Sequence, residues 1–494
     1  MSHLRERASW AIRWSGASQL GRQLLQFATL AVLARFVSPS DFGLLGMATV
    51  FVAFVAVFKD LGTGAAIVQR KDVSQPFMST VFWANVGFGL LATLALFLMA
   101  PLIADFYHDA SVTPIVRALS AAFFISALGV LQQSVMERRL HMQRLATLEV
   151  SAVAAGSAAA IIAALAGWGV WSLVVQSLVT AAVTTTLLWV ASDWRPSWHI
   201  SLTELKSTMH FSLSLTGFNV INYFARNADN LLVGRYLGSQ ALGYYSLAYR
   251  ILLFPLSSIS SVVGRVAFPV YSRIQDDLER FRRGYLLAAR AIALVAFPLM
   301  LGLLALRDPF VLAVFGEEWR PVALLLAILA PVGMIQSVVT TVGSIYMATG
   351  RTDWQLWWGL FYGFVVVAGF VVGLRWGIVG VACAYAIVTV ALSYPDLAIP
   401  FHLIGLRFRD FLAALWSITL ASCVMCVALV GAQAMLPAET RPWMTLAALV
   451  PLGVALYVGV LRVIDVTPMR EVLTALKSRA GAANGDSPGG EHVD

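Results

Sequence analysis

Runs of about 20 apolar residues recur from one end of this chain to the other, each long enough to cross roughly 30 Å of hydrocarbon. A backbone in that medium must satisfy every N–H and C=O group internally, so the runs are read as helices. Only 12% of the 494 residues are charged and 59% are hydrophobic, against about 25% charged in soluble domains. The fold class expected is an all-α polytopic membrane protein with no room for a sizeable soluble domain. The formal charge of +8 does not point to nucleic acid, because the basic residues fall between apolar runs and form no continuous stripe. Cys383, Cys423 and Cys426 all lie in apolar segments, which implies no disulfide framework. The basic N-terminus "MSHLRERASWAIRW" leads into an apolar segment without a small-residue cleavage site, and is read as an uncleaved first span.

Hydrophobic runs set against charged or turn-rich breaks give about 14 spans. Their approximate limits are 14–37, 42–66, 79–104, 114–135, 146–167, 170–191, 207–237, 242–269, 285–306, 319–346, 354–374, 377–398, 410–431 and 442–463. One set of loops carries most of the basic residues, among them Arg70, Lys71, Arg138, Arg139, Arg282, Arg283, Arg407 and Arg409. The alternate set has few, such as Arg35, Arg235, Arg307 and Arg375. By the positive-inside rule both termini are cytoplasmic, as an even number of spans requires. The end "GAANGDSPGGEHVD" is small and polar, the composition of a disordered tail.

An internal repeat organises the spans. "ARFVSPSDFGLLGMA" from Ala34 aligns with "GRYLGSQALGYYSLA" from Gly234 at an offset of 200, matching Arg35 with Arg235, Gly43 with Gly243 and Ala48 with Ala248. "GWGVWSLV" from Gly167 resembles "RWGIVGVA" from Arg375. Together they mark two six-span units, with a symmetry axis along the membrane normal and a cleft between them. The division expected is an N-terminal lobe at 1–200, a second lobe at 201–405, two extra spans at 406–463 and a cytoplasmic tail at 464–494.

Polar residues inside spans locate the cleft. Asn219, Asn222, Arg226, Asp229 and Asn230 are spaced by three or four, so they share one helix face. A lone charge at mid-bilayer costs at least ~2.5–3.5 kcal/mol, and Arg226 and Asp229 are spaced to pair. Gln19, Arg22 and Gln26 form the equivalent face of the first span, and Arg250 adds another cation in the eighth. The expectation is a water-filled cavity, biased positive, with Arg22, Arg226 and Arg250 as its cations. Gln19, Gln26, Asn219, Asn222 and Asn230 make its polar face. Asp229 is the candidate for coupling to a proton or sodium gradient. The alternative is that these groups act as interhelical glue. Lys59 and Asp60 are read as structural, and two GxxxG patterns at Gly359, Gly363, Gly369 and Gly373 as close helix packing.

Catalytic and cofactor signals are missing. There is no GxxxxGK[ST] for ATP and no HExxH, and the seven histidines form no metal-ligand cluster. An enzyme is not expected, nor any cofactor or metal.

The stretches "SPSDFGLLGMATVF", "DLGTGAAIVQRKDVSQPFMSTVFWANV", "FPVYSRIQDD" and "ALGYYSLAYR" resemble the polysaccharide-transport branch of the multidrug/oligosaccharidyl-lipid/polysaccharide exporter superfamily, near the Wzx-type flippases. The resemblance implies two six-helix lobes plus two helices and alternating access in a bacterial inner membrane. It implies an undecaprenyl-pyrophosphate-linked oligosaccharide as substrate, for exopolysaccharide, capsule or lipopolysaccharide biosynthesis. Membrane lipids, and the polymerase and chain-length proteins of such a pathway, are the partners it brings; nucleic acid is not one. An arginine fork suits pyrophosphate oxygens, which assigns Arg22, Arg226 and Arg250 to the head group and Asn219, Asn222 and Gln26 to sugars. The alternatives are a cation-coupled drug exporter of the same superfamily and a membrane-embedded polymerase or glycosyltransferase. The first favours acidic cavities; the second needs a long outer loop that this chain lacks.

Overall fold

The computed structural model describes residues 19, 21–59, 74–139, 141–198, 201, 223–224, 226–253, 271, 277–437 and 439–464. Asn219, Asn222, Asp60 and the tail expected at 464–494, apart from residue 464 itself, lie outside them, and so does the side chain of Lys59. Every regular element among the described residues is helical. In chain order they are α1 (21–33), α2 (Pro39–Lys59), α3 (Gln75–Tyr107), α4 (Val112–Ala127), α5 (Val130–Arg138), α6 (Met142–Leu165), α7 (Val170–Ala191) and α8 (226–253). After these come α9 (Leu278–Ala305), α10 (Arg307–Val314), α11 (Arg320–Val339), α12 (Val342–Ala348), α13 (Thr352–Gly373), α14 (Gly377–Ile404), α15 (Phe408–Met435) and α16 (Pro442–Ile464).

Among the described residues, nine helical stretches are long and apolar enough to cross a membrane, or ten if α4 and α5, bent by 41°, count as one. One stretch, Thr352–Ile404, is two helices folded back on each other, α13 and α14. The expected spans 14–37, 42–66, 207–237 and 242–269 each extend beyond the described residues. Leu91, Leu98 and Leu102 of α3 are well over half exposed, as suits a lipid-facing surface.

Local sequence sets the ends. Ser74 caps α3 by accepting from the Phe77 N–H, with Pro76 where no N–H is needed. The two turns expected from the repeat are present: Gly167 and Gly169 have φ 78° and 52° between α6 and α7, and Gly377 has φ 66° between α13 and α14. Those left-handed values favour glycine. Of the GxxxG pairs, the second packs: a Cβ on Gly373 would lie 2.6 Å from the Gly380 carbonyl oxygen, whereas Gly359 has open space beside it.

Close packings sort into two sets, one within α2–α7 and one within α9–α16. The offset of 200 reappears as geometry where α2 meets α8. A Cβ on Gly43 would lie 1.7 Å from the Ser239 carbonyl oxygen, and a Cβ on Gly243 would lie 1.9 Å from that of Pro39. Because 39 and 239 are themselves related by 200, the contact is reciprocal, as a local two-fold axis demands. The Ser40 and Ser239 hydroxyls meet there at 2.9 Å. Around it, the Arg35 guanidinium donates to the Ala313 and Val314 carbonyls, and its repeat partner Arg235 lies over the Phe106 ring at 5.6 Å. Trp319, fully buried, donates from Nε1 to the Ala34 carbonyl at 2.8 Å and stands edge-on to Phe42 at 5.2 Å. We refer to this assembly as the latch.

Candidate functional site

A cavity of about 760 Å³ lies beside the latch, with Leu33 and Phe42 in its wall. That volume is within the range of sites that hold a drug-sized ligand. Its lining comes from α1, α2, α4, α6 and α7, with only Arg250 and Leu253 contributed by α8. Among the described residues, Arg250 is the one ionisable side chain in the wall, and no carboxylate joins it. Its guanidinium has no hydrogen-bond or ion-pair partner among the described residues. The polar groups facing it are neutral: Gln23, Gln26, Thr49, Ser126, Gln176 and Ser177 among them. A second cavity of about 200 Å³ shares Arg250 and is lined also by Tyr223, Asn227, Asn230 and Tyr249.

The structure distributes the expected residues differently from the pattern read in the sequence. Gln26, Asn230 and Arg250 face the cavities. Arg22 does not: Nη1 donates to Glu149 at 3.0 Å and Nη2 to Gln19 Oε1 at 2.7 Å, so its charge and the Gln19 amide are both engaged. Glu149, on α6, is a lone carboxylate early in the fifth expected span, and that isolation was the signal available to find it. Arg226 is exposed and lines neither cavity.

The expected Arg226–Asp229 pair is not formed. Asp229 is buried and accepts from the Tyr245 hydroxyl at 3.0 Å and the Asn230 backbone N–H at 2.7 Å. The spacing of three allowed pairing, but the carboxylate turns into the protein where a phenol meets it. A further membrane carboxylate, Asp396 of α14, accepts from Trp358 Nε1 at 2.7 Å. No group of three or more potential metal-binding side chains occurs among the described residues.

The arrangement can hold an anion against Arg250 and offer hydrogen bonds to an uncharged, hydroxylated group beside it. An arginine fork donates two parallel hydrogen bonds to phosphate oxygens, and amide and hydroxyl groups both donate and accept.

Comparison with known proteins agrees with the fold. The chain is 31% identical over 423 residues to the lipopolysaccharide biosynthesis protein WzxC of Escherichia coli (strain K12), covering 84% of this chain and 85% of that one. It is 29% identical over 384 residues to the teichuronic acid biosynthesis protein TuaB of Bacillus subtilis (strain 168), covering 76% and 79%. Among solved structures, the lipid II flippase MurJ in its inward closed conformation superposes with a TM-score of 0.71 at 14% identity, over 90% of this chain and 97% of that one. An inward-facing multidrug resistance MATE family transporter gives 0.64 at 16% identity, over 78% and 94%. The sequence model described as polysaccharide biosynthesis protein matches residues 32–324. A multi-pass membrane protein with this repeat, this cavity and these relatives belongs to the polysaccharide biosynthesis protein family, in its Wzx-like branch.

Proposed function

We propose that the protein is a flippase that carries an oligosaccharide linked to undecaprenyl pyrophosphate across the bacterial inner membrane, by alternating access and for assembly of a surface polysaccharide. The observation that carries this reading is Arg250, unpaired among the described residues, in a large cavity whose other described polar groups are neutral. A pyrophosphate needs a cation to cross hydrocarbon, and a guanidinium on the wall of a cavity supplies one without a competing carboxylate. The names of the relatives support the substrate class, since they act in polysaccharide biosynthesis. A cation-coupled drug exporter fits less well, because no acidic side chain among the described residues lines the cavity to attract a cation.

The fuller architecture belongs to this reading. It has about 14 membrane spans, in two six-span lobes at 1–200 and 201–405, with two further spans at 406–463, a tail at 464–494 and both termini in the cytoplasm. The charge-poor loops then face outward and the latch closes the outer side. Asp229 is the group through which a proton or sodium gradient would act, and the polymerase and chain-length proteins of the pathway are its partners.

The test is a deletion strain complemented with Arg250→Ala, Arg250→Lys, Arg22→Ala or Arg226→Ala. Arg250→Ala is expected to lower polymer export at least about tenfold, as loss of a charged hydrogen bond worth 1.5–3 kcal/mol would, with lipid-linked oligosaccharide accumulating on the inner leaflet. Arg250→Lys retains part of the export, and Arg226→Ala all of it. Full export by Arg250→Ala would refute the assignment.

A further inference from the structure

The cavity wall opposite Arg250 carries more hydrogen-bonding capacity than a pyrophosphate uses. Thr49 and Thr180 spend their hydroxyls on carbonyls of their own helices, those of Leu45 and Gln176, each at 2.7 Å. The side chains of Ser126, Gln176 and Ser177 have no such partner among the described residues, yet all three line the cavity. Ser126 and Gln176 are half-buried and Ser177 is exposed, so all three can bond to water or to a ligand in the cavity. Three unspent groups on α4 and α7 therefore offer a hydrogen-bonding surface that a ligand can complete.

Their chemistry narrows the ligand. A serine hydroxyl donates one hydrogen bond and accepts two, and a glutamine amide donates and accepts at separate atoms. Sugar hydroxyls and acetamido groups have the same two-way capacity. Leu119, Ala122, Val153 and Leu173 lie in the same wall and can cover the C–H faces of a ring. Among the described residues no second cation stands there to offset a carboxylate.

The backbone behind this surface is fixed. A Cβ on Gly156 of α6 would lie 2.0 Å from Thr180 Oγ1 and 2.8 Å from the Gln176 carbonyl oxygen. Only glycine lets α6 close on α7 at that turn, and the turn it braces is the one presenting Gln176 and Ser177.

We propose that Ser126, Gln176 and Ser177 form a saccharide subsite, selective for an uncharged, hydroxyl-rich sugar attached directly to the pyrophosphate that Arg250 holds. This rests on the flippase reading and adds to it the residues that read the sugar. Two unlike surfaces divide the substrate: α8 supplies the charge for the diphosphate, and α4 and α7 supply neutral hydrogen bonds for the first ring.

The experiment measures binding of three probes to purified protein in nanodiscs: undecaprenyl pyrophosphate, undecaprenyl pyrophosphoryl glucose and undecaprenyl pyrophosphoryl glucuronic acid. The wild type is expected to bind the glucose probe about tenfold more tightly than the bare one, the equivalent of one to two net hydrogen bonds. The glucuronic acid probe gains nothing. Gln176→Leu and Ser177→Ala each cut the glucose advantage about threefold to tenfold and leave the bare probe unchanged, which also reports that the variants are folded. Gly156→Ala, by displacing the braced turn, loses the same advantage. Arg250→Ala weakens all three probes alike. A glucose advantage that survives in Gln176→Leu and Ser177→Ala overturns the subsite while the Arg250 assignment stands, and equal binding of the glucuronic acid and glucose probes overturns its neutrality. Unchanged binding of every probe by Arg250→Ala, with the glucose advantage still lost in Gln176→Leu, overturns the head-group assignment and leaves the subsite.

Discussion

Arg22 and Arg250 bring the same charge into the membrane and meet different surroundings. Arg22 is neutralised by Glu149, with the two side chains 30% and 41% exposed. Partial exposure puts such a pair near the upper end of surface ion pairs, about 1 kcal/mol, and short of the 3–5 kcal/mol lost when a fully buried pair is broken. Arg22→Ala or Glu149→Ala is therefore expected to lower thermal stability modestly, and the exchange Arg22→Glu with Glu149→Arg to restore most of it in a double-mutant cycle. Full additivity of the two single changes would show that the ion pair contributes nothing. Asp229 lies at the same scale. Asn in its place keeps an acceptor for the Asn230 N–H and turns its NH2 to donate to the Tyr245 hydroxyl oxygen, but it takes up no proton, so Asp229→Asn should fold normally and lose the response of transport to an imposed proton gradient. Transport that still follows the gradient would remove Asp229 from the coupling step.

The element scale is dominated by the latch, where the corners after α1 and within α8 approach so closely that only glycine fits at 43 and 243. A Cβ 1.7 Å from a carbonyl oxygen forces the backbones apart, so Gly43→Ala is expected to shift the protein away from this closed state. The Ser40 and Ser239 hydroxyls, 2.9 Å apart, offer a direct test in the double variant Ser40→Cys with Ser239→Cys. Oxidation should cross-link the two and stop export, and reduction should restore it. A cross-linked protein that still exports would show that the latch does not open during transport. Trp319→Phe keeps the ring but leaves the buried Ala34 carbonyl without its donor, which costs about 1–3 kcal/mol. That cost falls only on the closed state and so favours opening, which increased labelling of a cysteine placed at position 40 would report.

At the scale of the whole molecule, α2 and α8 meet at a reciprocal contact, beside a cavity walled mostly by helices of the first 191 residues. Reporter fusions after residue 464 should read as cytoplasmic, and reporters placed in the loop between α15 and α16 as external, if loop charge sets orientation; the opposite pattern would invert the side on which the latch closes. The helical class, most turns and the offset of 200 were legible in the sequence because lipid forces the backbone into helices and because repeated corners need repeated glycines. The division of labour among polar residues was not. Helical spacing places Arg22, Arg226, Asp229 and Arg250 inside spans, but it says nothing about which of them finds a partner on another helix. Glu149 lies 127 positions from Arg22, and Tyr245 turns toward Asp229 only because α8 bends at Gly238. Hydrophobicity, loop charge and the internal repeat are sums over local composition, and the chain alone determined them. Whether a charge inside a span is cancelled or left open to a substrate depends on contacts between distant segments, and only the tertiary structure decided that Arg22 is spent and that Arg250 has no partner among the described residues.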